Sequence, residues 1–543
     1  MTIPEKYYIP LLLLVCLGIF FPHLDVLYEN IMEARNFITA REMLHHDNWL
    51  LTTLNGEPRY EKPPLPTWLA AISAGIFGLD AIWALRLPSA LIATFWVLVV
   101  YRFSFSLLRN KTQAFHSSLI LATSFYIIFA GRNGTWDIFA HAFMMLGIYF
   151  LWKFFRQENS NYTNALLAGL GIGLSFLSKG PVSHYALLLP FLIAYGIIYG
   201  VKGAGKKWKP ALLLIVTAVL LGGWWLAYVY INDPGGMSSI ADKETTAWAN
   251  RNLRPFYYYW SFFAQSGIWT IFALMGLIYP YMSKRVADKT AYKFTFTWTV
   301  AVVVLLSLIP EKKSRYLLPV LVPLAMNTGF YVQYLTTLSR NFKAKWERWP
   351  IFIFFGIIIT CCILVPGAIL YLFVDQDAFS WVWFVLLQLA MIQIAVFGVK
   401  SFRKANWKNL FYLTILFVVS LITFGLPFAK GFFTNPEFEK LAPVVQDYLE
   451  ADKPLYVFDS GSPELIWDMG QRLPAIRHRG GTTVPQEKPF YVLVESGRLE
   501  TFAAFFADYE IEKLQTIDGN ITVPEDRNYK TRRIGTIFRL TEK

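Results

Sequence analysis

Charge is scarce in this chain. Only 16% of its 543 residues are Asp, Glu, Lys or Arg, where a soluble protein of this size carries roughly 25%. Cysteine is nearly absent, and Cys16, Cys361 and Cys362 all fall inside apolar runs. That excludes a disulfide framework and a cysteine-based zinc site. His23, His141 and His184 show no metal-ligand spacing and read as structural residues. No dinucleotide-binding or P-loop fingerprint is present. The first apolar run, Tyr7 to Phe21, is followed by no small-residue cleavage site, so it reads as a signal-anchor rather than a leader that is removed.

Apolar sequence fills the space that charge leaves. The chain is 55% hydrophobic and 17% aromatic, with a mean hydropathy of +0.40. Runs of about 18 to 25 apolar residues, the length that crosses a bilayer's hydrocarbon core, recur along most of it. About thirteen such spans are expected, from residues 7–24 to residues 408–428. The expected fold is a polytopic α-helical membrane protein with a small C-terminal α/β domain. The net charge of +13 concentrates in loops that alternate along the chain: RNKTQ, KFFRQENSNY, VKGAGKKWK, SKRVADKTAYK, SRNFKAKWERW and KSFRKANWK. Basic loops mark the cytoplasmic side, so the N-terminus is expected inside and nucleic acid is not implied. The loop Phe373 to Ser380, with Asp375 and Asp377 as its only charges, falls outside. An odd number of spans then leaves the first large loop, 25–66, and the tail, 431–543, on the extracytoplasmic side of a transmembrane domain, 1–430. Leu65 to Leu79 follows two prolines and is short for a full crossing, which suggests an interfacial or re-entrant helix. In the tail, apolar strands (PLYVFDS, FYVLVES, RIGTIFRL) alternate with helical stretches, as in α/β packing on a small sheet.

Chemistry-bearing residues gather in the loops assigned to the outside. In the first, ARNFITAREML places Ile31, Ala34, Ile38, Arg41 and Leu44 near one stripe, the pattern of an amphipathic helix lying on a membrane. Glu33 lies beside that stripe, either as a general base or orienting group for an acceptor hydroxyl or in a salt bridge to Arg35 or Arg41. Glu61-Lys62-Pro63-Pro64 closes the loop, its prolines stiffening the chain after two charges. In the short turn Arg132 to Asp137, the aspartate is either a helix N-cap or a group facing a wet cavity. Lys179 in LSKGP, and Lys312, Lys313 and Arg315 in PEKKSRYLLP, break the orientation bias at two separate outside loops. Two readings remain for them: snorkelling to lipid phosphates or holding an anionic substrate. Tyr257, Tyr258 and Tyr259 fit an interfacial aromatic belt.

Taken together, MEARNFITAREML, WLLTTLNGEP, YEKPPLPTWLAA, ALRLPSAL, Arg132 with Asp137, LSKGP, RPFYYY with Trp269, and SRYLLPVLVPLA occur in a collinear order that resembles the bacterial branch of the GT-C membrane glycosyltransferases. That branch includes the lipid A aminoarabinose transferases and relatives of the protein O-mannosyltransferases. The resemblance implies a sugar donor carried on a polyprenyl phosphate, transfer on the outer side of the bacterial plasma membrane, and a lipid A-like or other envelope acceptor. It implies catalytic roles for Glu33 and Asp137. The family often has an Asp-Glu pair in the first loop, and here the first position is Met32. Lys62, Lys179, Lys313 and Arg315 are the implied ligands of the donor phosphate, and Arg35, Glu61, Arg132 and Tyr316 complete the implied substrate-binding set. The sequence requires no cofactor; a divalent metal is compatible with it but unsupported. The rival reading is a transporter or flippase of a lipid-linked sugar, which calls for charges deep within spans rather than at their ends.

Overall fold

The computed structural model describes residues 3–157, 161–200, 207–250, 252–338, 345–376, 379–433, 435–449, 453–478 and 481–543. Parts of the basic loops at 153–162, 201–209 and 339–349, together with Asp377, lie outside the described residues. By compactness the chain divides into two units. The first comprises Met1–Leu24, Glu61–Pro66 and Arg86–Phe428; the second comprises Asp25–Tyr60, Thr67–Leu85 and Ala429–Lys543. The tail is therefore not a unit by itself, because most of the first loop belongs with it.

The first unit is helical. Among the described residues eight helices are long and apolar enough to cross a bilayer, and nine if Lys111–Ala122 and Phe125–Gly131, bent by 66°, count as one broken span. Helices also occupy the other segments expected to span, but they are shorter or more polar: Tyr8–Phe20, Tyr162–Lys179, His184–Tyr199 and Leu321–Thr337. A helix of 13 residues such as Tyr8–Phe20 rises only about 20 Å, against a hydrocarbon core of about 30 Å. Hydropathy counts such runs as full spans; their helical length does not. Tyr162–Lys179 owes its polarity to small residues that let backbones meet. A Cβ on Gly171 would stand 2.5 Å from the backbone nitrogen of Gly147, so the helices Asp137–Arg156 and Tyr162–Lys179 touch main chain to main chain. Buried polar side chains pair with one another: Thr295 donates to Asn327 Oδ1 at 2.9 Å, and Asn327 Nδ2 donates to Thr299 at 3.0 Å.

The second unit is built on a four-stranded sheet in the order Leu455–Val457, Phe490–Glu495, Ile534–Glu542, Tyr509–Asp518. The first two strands are parallel and the remaining pairs antiparallel. Phe490–Glu495 is central and apolar at successive positions, as expected of a strand covered on both faces. Tyr509–Asp518 is an edge strand carrying Glu510, Glu512 and Lys513, the charged dressing that keeps an edge from pairing further.

Helix Ile31–His46 corrects the sequence reading. It does not present one apolar stripe to a membrane; ten of its sixteen residues are buried, including Glu33, Arg41 and Glu42. Ile38 enters a core with Leu441, Leu465, Ile466 and Tyr491, and Phe37 packs on Trp467. Arg41 donates to the carbonyls of Ile466, Trp467 and Gln471 at 3.1 to 3.2 Å, which closes the C-terminal end of helix Pro463–Asp468. Glu42 accepts from Arg472 at 3.0 Å and from the backbone of Gly56 at 3.3 Å. The Asn-Gly pair at 55 and 56 turns a two-residue hairpin between Thr53–Leu54 and Glu57–Pro58. Asn55 then pairs with the backbone of Leu473 through both its amide groups. The short apolar helix Leu65–Phe77 lays Ala70, Ala71 and Ala74 against Phe37, Ala40 and Met43.

Candidate functional site

Charges in the first unit collect at helix ends. Asp137 is the first residue of helix Asp137–Arg156, and Lys179 is the last residue of helix Tyr162–Lys179. Lys179 donates to the Asp137 carboxylate in an ion pair whose two side chains are less than one-tenth exposed. Trp136 holds the N-cap position of that helix and Asp137 its first helical position, so the N-cap alternative does not describe Asp137. Gly180 ends the lysine's helix at φ +72°, ψ −151°, a backbone conformation essentially confined to glycine, and Pro181 follows. The turn sets the direction in which Lys179 leaves its helix.

Around this pair the structure gathers most of the cations expected from the sequence. Arg315 and Lys62 lie within electrostatic reach of Lys179, and Arg315 within reach of Asp137. Tyr126 is influenced by Asp137, Arg315 and Tyr258, and Tyr316 by Arg315 and Asp137. Arg315 also sits 5.9 Å from the Tyr316 ring centre. One helical turn below Asp137, the buried His141 meets Ser183 through Nδ1 at 2.9 Å. His141 and Ser183 were not expected at the site; the i, i+4 spacing of His141 from Asp137 is the signal that places it there.

The loop that carries Arg315 has an acidic member as well. Glu311 accepts from Lys313, with which it forms an ion pair, and from the Tyr316 hydroxyl at 3.1 Å. Burial pushes the Glu311 carboxyl up, but the donors Lys313 and Tyr316 outweigh it and hold it below the usual carboxylate range. Tyr259 brackets Lys313, donating to its carbonyl and accepting from its backbone N–H, both at 3.1 Å. Lys312 points elsewhere: it is buried, and its ammonium donates to the carbonyls of Arg254 and Ile309. It does not snorkel. Lys313, expected as a phosphate ligand, thus has an internal counter-ion.

Arg132 has a structural task. Its guanidinium donates to the carbonyls of Ile19, Pro22 and His23 at 2.5 to 3.0 Å, at the end of helix Tyr8–Phe20. It anchors the turn that leads into Asp137. Glu61 and Lys62 belong to the first unit, and Glu33 and Arg35 to the second. There Glu33 forms a capping box: Asn30 Oδ1 accepts from the backbone of Met32 and Glu33, and Asn30 Nδ2 donates to Glu33 Oε2 at 2.8 Å. The Arg35 carbonyl accepts from Arg59 at 2.8 Å. Among the described residues no group of three or more His, Cys, Asp or Glu side chains is arranged to hold a metal ion.

What the arrangement offers chemically is a cluster of cations around one buried carboxylate. Lys179 is buried at the end of an apolar helix, where a cation stabilises negative charge far more than it would in water, and Arg315 and Lys62 are half-buried. The Asp137–Lys179 pair fixes one of those cations in place.

The chain is similar to known proteins in sequence and in fold. Residues 61–225 match the family model described as dolichyl-phosphate-mannose-protein mannosyltransferase. An undecaprenyl phosphate-alpha-4-amino-4-deoxy-L-arabinose arabinosyl transferase of Yersinia enterocolitica is 24% identical over 62% of this chain and 60% of its own length. A second transferase of that description, from Pseudomonas fluorescens, is 26% identical over 55% of this chain and 51% of its own. The chain thus aligns with little more than half the length of these curated relatives. The fold extends further: the crystal structure of ArnT from Cupriavidus metallidurans bound to undecaprenyl phosphate superposes with a TM-score of 0.66, covering 98% of this chain and 97% of that one at 15% identity. In part of its sequence and in its fold, the chain is thus similar to membrane glycosyltransferases of the GT-C type.

Proposed function

We propose that this protein transfers a sugar from a polyprenyl-phosphate donor to a lipid or other envelope acceptor at the outer face of the bacterial plasma membrane. The observation that carries the reading is the buried Asp137–Lys179 ion pair, with Arg315 within electrostatic reach of both its members and Lys62 of Lys179. Breaking a sugar–phosphate bond at C1 leaves negative charge on the lipid phosphate, and fixed cations around that oxygen lower the barrier. Arg315, Lys62 and Lys179 take this role, with Tyr316 beside them and Asp137 holding Lys179 in position. An inverting single displacement follows when the acceptor attacks from the face opposite the phosphate. A hydroxyl acceptor needs a base, and Glu33 is our candidate; a phosphate acceptor, as on a lipid A-like molecule, is already anionic, and the carboxylate would orient it instead. The sugar is an aminoarabinose-like pentose or a hexose, in keeping with the names of the curated relatives. The topology proposed with it has about thirteen membrane crossings, a cytoplasmic N-terminus, and both the first loop and the C-terminal α/β portion outside.

Transfer of labelled sugar from a panel of polyprenyl-phosphate donors in reconstituted membranes tests the reading. Turnover by the wild type that Arg315→Ala lowers by about a hundredfold, the scale for removing one transition-state charge partner, supports it. Passage of lipid-linked sugar between leaflets with no transfer from any donor would establish a transporter instead.

A further inference from the structure

The turn between helices Phe125–Gly131 and Asp137–Arg156 carries a polar group that the chemistry above does not use. Asn133 is buried, at 7% exposure, and its side-chain carbonyl oxygen, Oδ1, has no hydrogen-bond partner among the described residues. A buried amide oxygen in that condition is uncommon and destabilising, and it calls for a specific explanation. Looseness of the turn is not the explanation. Arg132, next in sequence, is tied to the carbonyls of Ile19, Pro22 and His23 at the end of helix Tyr8–Phe20; Thr135 N–H donates to the Asn133 carbonyl at 2.8 Å; and Trp136 is fully buried. The turn is fixed on both sides of Asn133 and delivers Asp137 four residues later.

The sign of the orphan group narrows what it can meet. Lys62, Lys179 and Arg315 offer hydrogen-bond donors and positive charge, which suit a phosphate. A lone amide oxygen suits the opposite: a hydroxyl or amine that donates. A phosphate diester has no proton to give it. The transferred sugar of a polyprenyl-phosphate donor does, on every ring position that is not linked.

We propose that Asn133 is a specificity-determining residue whose side-chain oxygen accepts a hydrogen bond from a hydroxyl or amino group of the donor's sugar. This rests on the function proposed above and adds to it the residue that reads the sugar rather than the phosphate.

Asn133→Leu tests it, because leucine matches asparagine in size and removes the orphan. If the oxygen served only the fold, its replacement would leave stability equal or higher and transfer unchanged. The inference predicts the same stability with a transfer rate lower by roughly tenfold or more, the effect of a lost specific hydrogen bond. Binding of the sugar-free polyprenyl phosphate, read as a thermal shift of the purified protein, should stay at the wild-type level while binding of the sugar-linked donor weakens. Asn133→Asp keeps an acceptor of the same shape and should restore most of the turnover that leucine removes. Unchanged transfer in Asn133→Leu, or parallel loss of sugar-linked and sugar-free lipid, overturns the inference, as does equal loss in the leucine and aspartate variants. A wild-type protein that turns over no donor overturns the proposed function, and the comparison of sugar-linked with sugar-free binding then decides the role of Asn133 by itself.

Discussion

Lys179 reaches from the last position of its helix to the carboxylate of Asp137 at the first position of another, and both side chains are buried. Neither charge stands in a span's middle; each sits where a helix ends and the chain turns. That is where a bilayer protein can hold ionised groups against one another with least desolvation.

Asp137→Asn should therefore destabilise the protein. Removing one partner of a buried ion pair leaves the other uncompensated, at about 3–5 kcal/mol, and thermal unfolding in detergent should register it. The double variant Asp137→Asn with Lys179→Met removes both charges and should recover much of that stability while transfer stays lost.

Gly180→Ala isolates the backbone's contribution. A Cβ there meets nothing within 4 Å, so no clash is created. The strain of φ +72° remains, about 1–3 kcal/mol for such a conformation in a residue other than glycine. Relief of that strain would redirect Lys179, so the expected result is a lower kcat with a smaller change in KM, measured beside a lower Tm.

Glu33→Gln separates fold from chemistry in the second unit. Glutamine completes a capping box as glutamate does, so the melting temperature should hardly move. A transfer rate that falls by about a hundredfold, the order of a general-base contribution, is the expected outcome for a hydroxyl acceptor. An unchanged rate would confine Glu33 to capping.

The second unit should lose stability in acid through Glu464. Burial raises its carboxyl's pKa, but the hydrogen bond from Arg532 and the charges of Arg532 and Arg533 outweigh burial and hold it below its ordinary value of 4.5. A depressed folded-state pKa means that the stabilisation is present above pH 4.5 and is lost as the pH falls through the lower, folded-state value. Acid unfolding of Glu464→Gln should show a shallower dependence on pH in that window than the wild type.

Much of this architecture is legible in the order of residues. Long apolar runs locate helices, and the tail's alternating apolar stretches mark Leu455–Val457, Phe490–Glu495 and Ile534–Glu542. Strand Tyr509–Asp518 escapes notice because an edge needs no apolar face, and Glu510, Glu512 and Lys513 interrupt its apolar residues. Helix Ile31–His46 misleads for the opposite reason. Its spacing suggests a stripe lying on a membrane, and partners hundreds of residues away, the carbonyls of Ile466 and Gln471 for Arg41 and the guanidinium of Arg472 for Glu42, make its charges interior. At the candidate site, Lys179 and Arg315 stand out as positive charges on the side where few are expected. The pairing of Lys313 with Glu311, two residues earlier, and the anchoring by Arg132 of backbone carbonyls leave no mark in composition or period.

The division of the chain into units has a consequence for biosynthesis. Residues Asp25–Tyr60 share a core with Ala429–Lys543, and the whole of Arg86–Phe428 is synthesised between them. At the ribosome's pace of about 5–20 residues per second, the wait is on the order of tens of seconds. Throughout it Phe37, Ile38 and the charges of Arg41 and Glu42 have none of their final neighbours from the tail. A nascent chain released early, or one truncated before Trp467, would leave that helix as an exposed, sticky segment, a natural handle for chaperones and quality-control proteases.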